Sequence, residues 1–165
     1  MSSLAAAAAE FLSHRRIAVA GVSRDKPNAA NGIYRRLKAD GYDVFAVNPA
    51  ADQVEGDRCY RSLGEIEGGV EGVVVGSHPG TALAIVQEAA AAGVPRVWLH
   101  RSIGAGSVSE DAVRWCEEHD VAVIAGACPM MFVQRADFGH RCMCWVLDKL
   151  GKLPDAHEYG RTRSH

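Results

Sequence analysis

Ile17 to Lys26, IAVAGVSRDK, is a hydrophobic run that breaks at Gly21 into a small, polar, basic loop. A strand of this kind leading into a helix is how a nucleotide-binding α/β domain begins. The N–H groups and the positive dipole end of the helix N-terminus then face an incoming phosphate. Val44 to Pro49, VFAVNP, reads as the second strand and ends in Asn-Pro. A domain that binds NAD carries an acidic residue there to accept the ribose hydroxyls. Asn48 in that place favours a ligand with a phosphate near the ribose. A carboxylate would oppose such a group by about 1 kcal/mol in water and about 4 kcal/mol at an intermediate dielectric.

Strand-like runs begin near Ile17, Val44, Val73, Val97 and Val121, at intervals of 27, 29, 24 and 24 residues. This is the rhythm of βαβ units, and the runs are nearly all apolar, as parallel strands covered on both faces must be. Between them the first helix carries Ile33, Tyr34 and Leu37, with Asn28 as a candidate N-cap, and stops at Gly41. Ser62 and Glu65 read as a capping box for a short helix, and Ser107 and Glu110 as another for a helix carrying Val113 and Cys116. A helix after Pro79-Gly80-Thr81 runs through Leu83, Val86 and Ala90 to Gly93. Met143, Val146, Leu147 and Leu150 mark a last one. The expected fold is α/β: a Rossmann-like, doubly wound parallel sheet of about five strands in three layers.

At 165 residues the chain reads as one domain, with an amphipathic helix over 1–14, an added loop and helix over 130–154 and a loose tail over 155–165. A net charge of −2 with 23% charged residues gives no field to gather nucleic acid or an anionic membrane, so anion binding has to be local. The start lacks the basic region of a signal peptide and no apolar run reaches bilayer length. Five cysteines without scaffold spacing fit reduced thiols. Together these point to a cytoplasmic protein that binds a small-molecule nucleotide.

In a doubly wound sheet, ligands lie beyond the carboxyl ends of the strands. Five loops therefore matter: Gly21 to Lys26, Val47-Asn48-Pro49, Ser77-His78-Pro79-Gly80, His100 to Gly104, and Gly126-Ala127-Cys128-Pro129. In the first, Gly21 permits close backbone approach, Ser23 offers a hydroxyl, and Arg24 and Lys26 offer charge. The competing reading is that Gly21 turns the chain and both cations are solvated. A single glycine where GxGxxG has two or three breaks the dinucleotide fingerprint.

The segments IAVAGVSRDKPN, DGYDVFAVNP, CYRSLGEI, VVVGSHP, VWLH and GACP, in this order, resemble the single-domain coenzyme A-binding proteins of bacteria. That family is similar to the nucleotide-binding domain of the succinyl-CoA synthetase α-subunit. The resemblance covers about Arg15 to Pro129 and implies coenzyme A, free or acylated, lying across the strand ends. By the same resemblance Gly21, Val22, Ser23, Arg24 and Lys26 hold the pyrophosphate, and Asn48 and Pro49 flank the adenosine. Ser77, His78 and Pro79 close over it, and Cys128 and Pro129 border the pantetheine route. The chain departs from the pattern after Pro129, in MMFVQRADFGHRCMCWVLDKLGKLP.

Several residues keep two readings. Cys128 is a nucleophile or thiol partner, or a small residue before a proline turn. His78 and His100 are acid–base groups, or phosphate ligands and caps. Met130, Met131 and Phe132 with Trp145 line an apolar channel, or belong to core or a homodimer face. His140, Cys142 and Cys144 suggest a metal, yet positions two apart on a helix diverge, and a structural helix is the simpler reading. Neither a GxSxG elbow nor a Ser/His/Asp order is present. The expectation is a binding module for coenzyme A acting as carrier, sensor or accessory module. The rivals are an NAD(P)-binding oxidoreductase or redox sensor, and an enzyme acting on an acyl-CoA through Cys128 or His100.

Overall fold

The computed structural model describes residues 3–101 and 106–133. Its strands are β1 (Arg16–Ala20), β2 (Asp43–Val47), β3 (Gln53–Val54), β4 (Asp57–Tyr60), β5 (Gly72–Val75), β6 (Arg96–Leu99) and β7 (Ala122–Ala125). Its helices are α1 (Leu4–Leu12), α2 (Ala29–Ala39), α3 (Pro79–Ala91) and α4 (Glu110–Glu118). The strands form one sheet in the order β3-β4-β2-β1-β5-β6-β7, parallel except for the β3–β4 pair. From β1 the chain winds outward first through β2 and then, after β5, in the opposite direction. The order therefore reverses between β1 and β5, and a crevice opens at such a point.

Alternation along the strands divides the core in two. Ile17 and Val19 of β1, with Val74, Trp98 and Ile124, face a layer made by α1 and α2; Ala18 and Ala20, with Val73, Val97 and Val123, face α3 and α4. Helices on both faces make the three-layer, Rossmann-like architecture. Phe11 anchors α1 by meeting Trp98 edge to face at 5.3 Å over Gly72, where a Cβ would sit 2.9 Å from the Phe11 ring. No helix among the described residues is long and apolar enough to cross a membrane.

The sheet has seven strands where periodicity suggests about five. The additional pair is the hairpin β3–β4, whose two-residue turn places both Glu55 (φ 51°) and Gly56 (φ 80°) in the left-handed region. Strands of two and four residues are too short to show a period, and Glu-Gly is not the usual Asn-Gly signal of such a turn.

Two capping boxes are also corrected. Ser62 makes no side-chain cap and opens only the 3-10 turn Leu63–Glu65, while Glu65 accepts from the Arg61 N–H at 3.1 Å. The cap of α4 is Ser109, and Ser107 instead donates its hydroxyl to the Ser77 carbonyl. Asn28 does cap α2, with the capping interaction reciprocated from Asn31. The expected last helix around Met143 to Leu150 and the tail lie outside the described residues.

Candidate functional site

The rim at the carboxyl ends of the strands is built first by two glycines. Gly21 follows β1 at φ 96°, and a Cβ there would stand 2.8 Å from the Ser77 nitrogen and 3.0 Å from the Gly76 carbonyl carbon. Gly76 follows β5, and a Cβ there would lie 2.7 Å from Cβ of Ala30, in the first turn of α2. The loops on either side of the reversal point, and the start of α2, touch backbone to backbone because neither glycine has a side chain.

Asn31 shapes the loop above them. It is buried, and its amide uses every valence it has. Oδ1 accepts from the N–H groups of Ser23 (3.0 Å) and Asn28 (3.1 Å); Nδ2 donates to the Ser23 carbonyl (2.8 Å) and to Glu55 Oε1 (2.6 Å). Asn28 reaches back to the Gly21 carbonyl at 3.0 Å, and Ser23 Oγ accepts from the Lys26 N–H at 3.1 Å. Residues 21–28 are thereby folded over the start of α2. Ala29 and Ala30 open that helix, so their N–H groups have no acceptor within it; Ala29 is exposed at the rim, whereas Ala30 is buried against Gly76.

The start of α3, across the crevice, is occupied by its own residues. Pro79 has no N–H, His78 Nδ1 accepts from Gly80, and Thr81 N–H bonds the His78 carbonyl. An anion at this rim thus has its open helix terminus at α2. Because Nδ1 of His78 accepts, the neutral ring carries its hydrogen on Nε2. Ser77 Oγ meets Thr81 Oγ1 at 2.9 Å.

Asn48 joins the first and second loops. Its Nδ2 donates to the Val22 carbonyl at 2.9 Å and its Oδ1 accepts from Ala50 N–H at 2.9 Å, turning the chain through Pro49. Val22 is buried, whereas Arg24, Lys26 and Pro49 are exposed. Arg24 leans on Asp25, Nε to Oδ1 at 3.0 Å, with both side chains mostly in solvent. An exposed pair of this kind contributes little and is readily exchanged.

Toward β6 and β7 the rim becomes apolar. His100 is buried, and desolvation holds its pKa below the ordinary imidazole value, so the neutral ring is favoured. Trp98 donates its indole N–H to the Gly126 carbonyl at 2.9 Å, tying β6 to the last loop. Cys128 is 2% exposed and Pro129 is also buried, in a 3-10 turn that packs on α2. Met131 joins that core and Phe132 lies 5.9 Å from the Trp98 ring, so both sit in packing. Ser102 to Gly104, His140, Cys142, Cys144 and Trp145 lie outside the described residues.

Burial pushes the Cys128 thiol up to about 11, against a smaller opposing pull from the Met130 backbone. At neutral pH it is a thiol, and a thiol is a poor nucleophile. The geometry supports the small buried residue over the reactive one. A pH dependence follows. An unfolded thiol ionises near 9. Between pH 9 and about 11 the unfolded chain releases a proton that the fold keeps, so stability falls as pH rises, by about 1 kcal/mol at pH 10 from this group. Denaturant melts at pH 8 and pH 10 should show a loss to which the buried Cys116 and Cys59 thiols, also raised, contribute as well, and Cys128→Ser should shrink it by about 1 kcal/mol. An equal loss in the variant would refute the assignment.

Sequence reasoning passes over two residues at the rim. Asn31 falls in the first turn of α2 just before the apolar pattern, and the spacing Asn28-x-x-Asn31 is that of a capping box with Asn in the acidic position. Arg61 follows β4, a strand too short to read.

A family model described as CoA binding domain matches residues 15–134. Over 115 residues the chain is 30% identical to the uncharacterized protein YneT of Bacillus subtilis (strain 168), covering 69% of this chain and 82% of that one. A hypothetical protein from Pyrococcus horikoshii OT3 is similar in structure, with a TM-score of 0.72 at 26% identity over 82% of this chain and 96% of that chain. The dinucleotide forming acetyl-coenzyme A synthetase 1 of Ca. Korarchaeum cryptofilum superposes with a TM-score of 0.59 at 22% identity over 71% of this chain and 27% of its own, a likeness of fold alone.

Proposed function

The chain belongs to the CoA-binding domain family, and from that premise we propose that it binds coenzyme A or an acyl-CoA across the strand-end rim as a carrier, sensor or accessory module. The observation that carries this reading is the open N-terminus of α2 under the Asn31-shaped loop at the reversal point, facing an exposed Arg24 and Lys26. The residues fit a pyrophosphate, since the exposed Ala29 offers its N–H, the helix dipole favours negative charge, and Gly21 and Gly76 let the backbone come close. Asn48 and Pro49 flank the adenosine, with an amide in place of a carboxylate directly after β2. Ser77, His78 and Pro79 form the facing wall.

Coenzyme A supplies a thiol that carries acyl groups as thioesters. The chain's part is to bind the nucleotide and orient the arm. His100, Cys128 and Pro129 wall the pantetheine side by packing, and the protonated Cys128 leaves the ligand's own sulfur as the reactive one. Nothing in this reading requires turnover.

Thermal melts with coenzyme A and with NAD test it. Coenzyme A at a hundred times its dissociation constant should stabilise the fold by about 2.7 kcal/mol. For a chain of this size that is a rise of roughly 5 to 11 °C in Tm. A shift with NAD and none with coenzyme A would overturn the proposal in favour of a nicotinamide ligand.

A further inference from the structure

The hairpin that adds β4 to the sheet also brings Arg61 to the rim. β4 runs parallel to β2 with Val47 opposite Tyr60, and the Asn48 N–H donates to the Tyr60 carbonyl at 2.9 Å. Arg61 therefore leaves the sheet beside Asn48, on the face where the strand ends converge. Its Nε and Nη2 both reach Asp52 Oδ1 at 3.0 Å. The two side chains are 59% and 78% exposed, so this pair, like Arg24 with Asp25, is weak and its partner exchangeable. Asp52 is also within electrostatic reach of Arg24. Two guanidinium groups thus border the end of β2, each held only by an exposed carboxylate.

In sheets of this kind the ribose of an adenine nucleotide lies over the end of the second strand, and an arginine nearby accommodates a phosphate carried on that ribose. A planar guanidinium meets phosphate oxygens bidentately, which a solvated carboxylate partner does not prevent. We propose that Arg61 is the residue that recognises the ribose phosphate of the nucleotide, exchanging Asp52 for it on binding, while Arg24 faces the pyrophosphate. The inference rests on the coenzyme A reading and deepens it. It makes the chain selective for adenosine ligands bearing a phosphate on the ribose.

Calorimetric titration of the full chain with coenzyme A and with dephospho-coenzyme A separates the roles. Wild type should prefer coenzyme A about ten-fold or more. Arg61→Ala and Arg61→Gln should erase that preference by weakening coenzyme A alone, leaving dephospho-coenzyme A within about two-fold of wild type. Arg24→Ala should weaken both ligands together. Unchanged melting temperatures are expected, since both arginines are exposed. If wild type binds coenzyme A but Arg61 variants keep the preference, or lose both ligands equally, the role of Arg61 is overturned and the coenzyme A reading stands. If wild type binds neither ligand, both fall.

Discussion

Gly21→Ala should destabilise the protein by about 3 kcal/mol and lower its Tm by roughly 6 to 12 °C. Two costs add. A side chain at φ 96° is strained by about 1 to 2 kcal/mol whatever the space around it. The new Cβ would also stand 2.8 Å from a backbone nitrogen and 3.0 Å from a backbone carbon of the facing loop, neither of which can rotate away. Gly41→Ala is the control, because Gly41 shares the positive φ, at 86°, but has nothing within 4 Å of where the methyl would stand. It should cost about 1 kcal/mol. The first variant should also lose coenzyme A affinity more than ten-fold, since the loops must part to admit the methyl, and the second should not. Equal losses of stability from both would show that the close approach at the reversal point contributes nothing.

Asn31→Ala should cost about 3 kcal/mol as well, by a different route. The substitution leaves the N–H groups of Ser23 and Asn28 and the Ser23 carbonyl without the partner they have in a part-buried setting, and unmade hydrogen bonds there cost about 1 to 3 kcal/mol each before water compensates. Asn31→Asp is the sharper variant. It keeps the acceptor and nearly the shape, but sets a second carboxylate against Glu55 Oε1, now 2.6 Å from the amide nitrogen. Its loss should shrink as pH falls through the carboxylate range and one of the two acids protonates. Melts of Asn31→Asp at pH 4.5 and pH 7.5, each against wild type, should show that narrowing gap. A gap that widens on acidification would contradict the arrangement.

Most of the architecture is legible in the chain because its cause is local. Strands β1, β2, β5, β6 and β7 are largely apolar, so they stand out as runs, and Asn28, Gly41 and Gly93 mark helix ends through their own conformational preferences. The rim loops follow from the strands, since topology places every strand end together once the sheet is parallel. What the sequence does not display is contact at a distance. Ser107 sits where a cap is expected and yet serves the Ser77 carbonyl thirty residues away. Cys128 reads as a rim residue, and it is, but its burial under α2 is decided by how the turn Pro129–Met131 packs. Arg61 could not be placed without β4, whose four residues are too few to show alternation.

The hairpin also bears on assembly. β3 ends the sheet on its side with two paired residues, Gln53 and Val54, and runs against the direction of the rest. Its neighbours Asp52, Glu55 and Asp57 are acidic. A second copy approaching there to extend the sheet would find a ladder only two residues long, flanked by acids already paired with Arg61, Arg35 and Lys38. Natural edges are protected from fibre-like stacking by such means. Among the described residues, that flank therefore offers little to a second copy that would extend the sheet.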